Sequence, residues 1–286
     1  MNIPSLSKRT DKELKLLFIQ ILSCVYGVQA LGANIYIYAN GSAIGKILWL
    51  NLGLDDQLAY GLDKVFAFLA MALSVYAIIF KKSWPCFLCA AWFLSLSLGK
   101  LYNGGSFSAP YSLFAHAVRY ASPLALGVYF KQAQIAGFSY FDFVKKILLI
   151  STTSVFAAHG VEALFHNPIF IDYIIRFSRV YAQIKISEDL AKNLLYIIGV
   201  QDILLAIAIL FPRRRWPLAY MAFWGFWTAS LRTFFSPQYG LGDTLIRATN
   251  GGVPLALFIL THLHEASSFT GNSTNQSKGG ELEAPS

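Results

Sequence analysis

The chain has 286 residues, of which 56% are hydrophobic and only 13% charged. A soluble domain carries about 25% charged residues, so the composition excludes one. The formal net charge of +8 does not mark a nucleic-acid partner, because the basic residues gather between apolar runs, where a positive-inside bias places them.

Those apolar runs are near the length a helix needs to cross roughly 30 Å of hydrocarbon. Eight spans are predicted, at about 14–33, 58–80, 84–101, 111–130, 145–165, 193–211, 216–235 and 244–263. The polar start MNIPSLSKRTDKELK has no small-residue cleavage site, so span one is expected to act as its own insertion signal. Lys8, Arg9, Lys12 and Lys15 precede that span, and Lys81 and Lys82 separate spans two and three. Lys131, Lys145 and Lys146 separate spans four and five, and Arg213, Arg214 and Arg215 separate six and seven. Every second connection is thus basic, which predicts cytoplasmic termini and exported segments at 34–57, 102–110, 166–192 and 236–243. The expected location is a bacterial inner membrane, with the lipid bilayer as the main partner. Within the first and third exported segments, IYIYANGSAIGKILWL and IFIDYIIRFSRVYAQI mix aromatic and aliphatic residues with isolated charges. Such stretches read as short surface helices. From about 266 the chain is polar and reads as a disordered cytoplasmic tail, where the sequon at Asn272 meets no glycosylation machinery.

The chain repeats itself. GVQALGAN at 27–34 matches GVEALFHN at 160–167, and Asp55-Asp56 matches Glu188-Asp189, both at an offset of 133. KKSWP at 81–85 matches RRRWP at 213–217, and Lys100 matches Arg232, at 132; PLAL at 123–126 returns at 254–257, at 131. The expected fold is therefore an all-α membrane bundle of two tandem units, about 1–135 and 136–265, ahead of the tail at 266–286. Four spans per unit give both the same orientation, a parallel repeat about an axis along the membrane normal.

Ionisable residues at membrane depth cost at least about 2.5–3.5 kcal/mol each, which makes them functional candidates. His159, Glu162, Asp202, Arg232 and Arg247 fall in the second unit, mostly toward its exported side. The corresponding set in the first unit is Gln29, Asp63, Lys100, His116 and Arg119. At i, i+3 and i+7, His159, Glu162 and His166 are expected to share one helix face. Three readings fit this face: pairing of Glu162 with Arg232 or Arg247, a cavity that handles a ligand or protons, and a metal site. Tyr26 and Gln29 replace His159 and Glu162 in the first unit, so chemistry is expected mainly in the second. Lys100 and Arg232 are either snorkelling anchors or part of an electropositive vestibule for an anion or acidic headgroup. Asn250, Gly251, Gly252 and Pro254 are expected to loosen the last span beside Arg247, as Pro123 does near Arg119.

Three cysteines make no disulfide framework. PCFLC at 85–89 offers Cys86 and Cys89 as a redox pair or as small packing residues. Its Pro-Cys-x-x-Cys resembles the quinone-linked disulfide-forming membrane proteins only locally, since a second pair is missing and this one lies at the expected cytoplasmic end.

HGVEAL late in a first span, GVQDILLAIAILF, the basic turn in PRRRWPLAYMAF and a last span carrying Arg247 together resemble the DoxX-like membrane proteins. The resemblance covers about 145–262 and reaches 14–130 only through the repeat. It implies a four-helix unit with Asp202 as the acidic residue of the second span and Arg213–Arg215 as the turn. Asp63 departs from the pattern, some seven residues from where Asp202 maps. The vitamin-K-carboxylase-like membrane domain has a more distantly similar layout. From the DoxX-like resemblance follows the expectation of a redox-associated subunit, quinone-interacting through His159, Glu162, Asp202 and Arg247, with membrane or redox proteins as partners. The alternative is a non-enzymatic permease or lipid- or cargo-binding protein with its site beside Arg232 and Arg247. A third reading makes every charge an interhelical pair. No nucleotide loop, haem-attachment motif, HExxH or nucleophile elbow is present.

Overall fold

The computed structural model describes residues 10–132, 139–211, 215–235 and 240–261. The expectations for Lys8, Arg9, Arg213, Arg214 and the tail lie outside these residues. All regular structure among the described residues is helical: α1 (Asp11–Asn40), α2 (Ala43–Lys46), α3 (Asp56–Phe80), α4 (Ser83–Asn103), α5 (Ser112–Ala115), α6 (Ala117–Lys131), α7 (Tyr140–Leu164), α8 (Pro168–Val180), α9 (Glu188–Ala208), α10 (Trp216–Phe235), α11 (Gly240–Leu245) and α12 (Ala248–Thr261). A π-helical turn, Ile47–Asn51, extends α2.

Local chemistry sets the helix starts. Thr10 and Glu13 form a reciprocal capping box on α1, with the Thr10 N–H donating to the Glu13 carboxylate at 2.7 Å. Asp55 accepts from the Gln57 and Leu58 amides at the head of α3, and Ser187 from the Leu190 amide at the head of α9. At 30 residues α1 is about 45 Å long, so it runs past the expected boundary at 33. The frame it shares with α7 therefore ends differently. Pro168 follows Asn167 and cannot continue a helix, whereas Ile35 can. Asn167 instead caps α8 by accepting from the Ile169 amide at 3.0 Å.

Six helical segments are long and apolar enough to cross a membrane: Asp11–Asn51, Asp56–Phe80, Ser83–Asn103, Tyr140–Leu164, Glu188–Ala208 and Gly240–Thr261. Two of the expected spans are missing from this set. Span four is broken at His116 into α5 and the 15-residue α6. In α10, Trp216, Trp224, Trp227, Tyr220 and Arg232 lower the mean hydropathy of an otherwise apolar helix.

At the centre α1, α6, α7 and α12 pack together, α1 against α12 and α6 against α7. Phe18, Leu22, Leu126, Leu148, Val253 and Leu257 fill that core. On one side α3 packs on α1 and α4 on α6; on the other α9 packs on α7 and α10 on α12. The outer helices turn large apolar side chains outward, among them Phe68 and Ile79 on α3, Ile197 and Leu204 on α9, and Phe223 on α10. That is the pattern of helices solvated by lipid.

Small residues permit the closest crossings, as in membrane bundles generally. A Cβ on Gly160 would stand 2.9 Å from the Gly199 carbonyl oxygen, and one on Gly199 2.9 Å from that of Gly160, so α7 and α9 meet backbone to backbone. Gly32 is tighter still: a Cβ there would lie 2.5 Å from the Leu245 carbonyl carbon and would also strike the Ile246 amide. Backbone cannot rotate aside as a side chain can. Gly32→Ala is therefore expected to cost about 3 kcal/mol, the upper end for overpacking, read as a lowered melting temperature in detergent.

Candidate functional site

The buried charged residues among the described ones fall into three places. The largest is a cavity of about 860 Å3 bounded by α1, α2, α4, α6 and the α11–α12 junction. Lys46, Lys100, Arg119 and Arg247 line it, together with His116, and Asp243 is the only acid among the described lining residues. The helix breaks make this possible. His116 lies between α5 and α6 and Arg247 between α11 and α12, where the backbone departs from regular helix.

Arg119 is a buried cation without an ion pair among the described residues. It is 9% exposed, its Nε is buried with no hydrogen-bond partner, and it makes no ion pair among the described residues. Its backbone is fixed instead. Gln29, fully buried on α1, donates from Nε2 to the Arg119 carbonyl at 2.9 Å and accepts from the Thr249 hydroxyl at 2.6 Å. A glutamate could not make the first bond, since a carboxylate has no donor. That explains the amide here where α7 has Glu162. Lys100 likewise lines the cavity without an ion pair among the described residues, and His116 Nδ1 is 3.5 Å from the Ser97 hydroxyl.

Arg247 is paired, although not with Glu162. Its Nη1 donates to the Asp243 carbonyl at 2.9 Å and to the Asp243 carboxylate. Arg232 Nε reaches the other oxygen of the same carboxylate at 3.3 Å, and its Nη1 donates to the Thr228 carbonyl. Its guanidinium also lies 5.5 Å from the centre of the Tyr173 ring. Asp243 is the residue that sequence reading passed over as part of an exported loop. Its spacing of four from Arg247, one helical turn, was the available signal.

The second place is a pocket of about 120 Å3 in the second half, walled by α7, α8, α9, α10 and α12. His159, Asp202 and Arg232 line it, so three of the five principal candidates meet there. Glu162 and Arg247 do not. Glu162 is buried next to the pocket, 3.5 Å from His159 Nδ1, and accepts from Asn167 Nδ2 at 3.2 Å. Asn167 also donates to the Ser108 hydroxyl at 3.1 Å, tying the end of α7 to the turn before α5. His166 does not share the face with His159 and Glu162. Helix α7 ends at Leu164, and His166 is exposed with a φ of 57°. Among the described residues no group of three or more His, Cys, Asp or Glu is placed to hold a metal.

The third place is structural. Asp63, fully buried on α3, accepts from the Ser42 amide and hydroxyl, both at 2.6 Å, and so holds the turn between α1 and α2. Asp63→Asn keeps the shape but loses two charge-assisted bonds. A cost of about 1.5–3 kcal/mol is expected, with faster proteolysis between residues 40 and 52 as the local readout.

Cys86 and Cys89 line neither cavity. Both are buried and free, and Cys89 Sγ is 3.4 Å from the Ala70 carbonyl oxygen and from the Ser74 hydroxyl. Reactive thiols need an electropositive, partly exposed setting, which this is not.

Comparison with protein-family models, curated proteins and solved structures gives no match. Fold and site together define a class at the level of architecture: an all-helical protein, with six helices among the described residues long and apolar enough to cross a membrane, that carries a predominantly cationic cavity.

Proposed function

We propose that this chain is a non-enzymatic membrane protein that binds an anionic ligand in the large cavity, as a permease or as a carrier of a lipid or other acidic cargo. The observation that carries the reading is Arg119, a buried guanidinium with no counter-charge facing open volume. An unpaired charge at membrane depth costs several kcal/mol, and a bound anion removes that cost. Lys100 and Arg247 contribute further positive charge to the same space, and Arg supplies the planar donor fork suited to phosphate and carboxylate.

The reading includes the eight-span layout in two parallel units. Helix pairing supports it: α1 with α3 and α4 with α6 recur as α7 with α9 and α10 with α12. The interruption at His116 recurs at Arg247, 131 residues later by subtraction.

The redox-associated, quinone-interacting reading that follows from the DoxX-like resemblance has weaker support. Its principal candidates divide between two cavities, and Cys86 and Cys89 lie outside both. The small pocket leaves acceptor oxygens of Asp202 and Asn250 unmatched. Quinone carbonyls are also acceptors, so these two oxygens offer a quinone head no donor.

Native mass spectrometry of the detergent-purified chain tests the choice. An acidic lipid or inorganic anion is expected to travel with the protein and to be lost in Arg119→Gln. A co-purifying quinone, with no anion, would overturn the proposal in favour of the redox reading.

A further inference from the structure

The small pocket has a chemistry of its own, set by two unmatched acceptor oxygens. Asp202 is 6% exposed and Asn250 7%, and each leaves its Oδ1 buried without a hydrogen-bond partner. Both residues line the pocket, as do the rings of Phe156, Phe170, Tyr173 and Trp224. Unmatched acceptors beside aromatic faces call for a guest that donates hydrogen bonds and carries positive charge.

The other charged groups at the pocket stand within ion-pair reach of a carboxylate. Arg232 is held by the Asp243 carboxylate and the Thr228 carbonyl, and His159 stands beside Glu162. Asp202 has no cation within ion-pair reach among the described residues. The volume of about 120 Å3 is close to that of an apolar cavity known to take benzene, which limits the guest to a few heavy atoms.

The first half of the chain differs at the corresponding positions. At the offsets of 133 and 132, Tyr26 stands for His159, Ala70 for Asp202 and Phe93 for Gly225. Tyr26 and Phe93 are buried, and the Tyr26 hydroxyl is bonded to Ser74 at 2.6 Å. A closed hydrogen bond and bulk thus occupy positions where the second half has a histidine and a glycine, and an alanine stands where it has the carboxylate.

We propose that the pocket among α7, α8, α9, α10 and α12 is a second binding site, and that it takes a small organic ammonium ion. The ammonium donates to Asp202 Oδ1 and Asn250 Oδ1, while the four rings face its alkyl groups. The site is separate from the anion cavity and does not depend on that reading.

Titration calorimetry on the detergent-solubilised full chain tests this with tert-butylammonium and its neutral isostere tert-butanol. The ammonium is expected to bind at least about tenfold more tightly than the alcohol, a difference in charge at constant shape. Asp202→Asn is expected to weaken ammonium binding by about tenfold or more while leaving the binding of inorganic phosphate unchanged. Arg119→Gln is expected to do the reverse. Equal binding of both probes by the wild-type chain, or binding of neither, overturns the proposal without reference to any variant. An Asp202→Asn chain that folds and binds the ammonium unchanged overturns it as well.

Discussion

Replacing Arg119 by methionine is expected to stabilise the empty protein and to abolish its binding of anions. The two effects have one cause. A buried guanidinium without a counter-ion is a standing cost to the fold, and an apolar side chain of similar length removes it. Replacing buried charges by apolar residues of similar volume has stabilised other proteins by about 1–4 kcal/mol. The expected gain here is about 1–3 kcal/mol, discounted because Arg119 faces a cavity large enough for water. Binding moves the other way. A hydrogen bond to a charged group contributes about 1.5–3 kcal/mol, so the affinity for inorganic phosphate should fall by roughly 10- to 150-fold. Thermal denaturation with and without phosphate reads both quantities, since a ligand raises the melting temperature only when it binds the folded state. A variant that melts earlier than the wild type would show that Arg119 holds the fold together, and the case for an anion site would go with it.

Asp243→Asn should produce the opposite pattern. Asp243 is the shared counter-charge of Arg232 and Arg247, with one carboxylate oxygen toward each. Without it two guanidinium groups face each other near Arg119 and Lys100, and the expected loss of stability is about 2–4 kcal/mol. The upper part of the range for a broken buried pair is discounted, because the carboxylate keeps 24% of its surface exposed. The cavity becomes more cationic at the same time, so anion affinity should rise and its dependence on salt should steepen. A double-mutant cycle with Arg247→Gln is expected to show coupling of about 1–3 kcal/mol. If Asp243→Asn weakened anion binding at unchanged stability, the carboxylate would be positioning the ligand and would not be balancing the arginines.

Much of the framework was legible from composition and periodicity. Long apolar runs define helices whatever surrounds them, because a backbone in hydrocarbon must satisfy its own hydrogen bonds. The short helix α8, the interruption near Arg247 and the burial of Glu162, Asp202, Arg119 and Asp63 all follow from local pattern or from the cost of exposing a charge to lipid. The grouping of those charges was less legible. A one-dimensional reading put His159, Glu162 and His166 on one face because it carried the helix two residues past Leu164. Asn167-Pro168 ended the helix and turned His166 outward. The same reading left Asp243 in a loop, and so offered Glu162 as the pairing partner of Arg232 or Arg247.

By itself the sequence determined the class of structure: an all-helical chain, apolar enough for the membrane, with a short list of ionisable residues that had to be buried. Those properties depend on the side chain and its near neighbours, which the order of residues records directly. Which of the buried charges are neutralised was decided only by tertiary structure. Asp243 meets Arg232 and Arg247 because α10 packs on α11 and α12, and Arg119 is left without an ion pair among the described residues, while Gln29 of α1 bonds its backbone carbonyl. Asp202 is left with an unmatched oxygen inside a ring-lined pocket by the way α7, α9, α10 and α12 come together. Coulomb energy falls off with the distance between side chains in space, and residues 119, 202 and 243 acquire their neighbours only when distant helices pack.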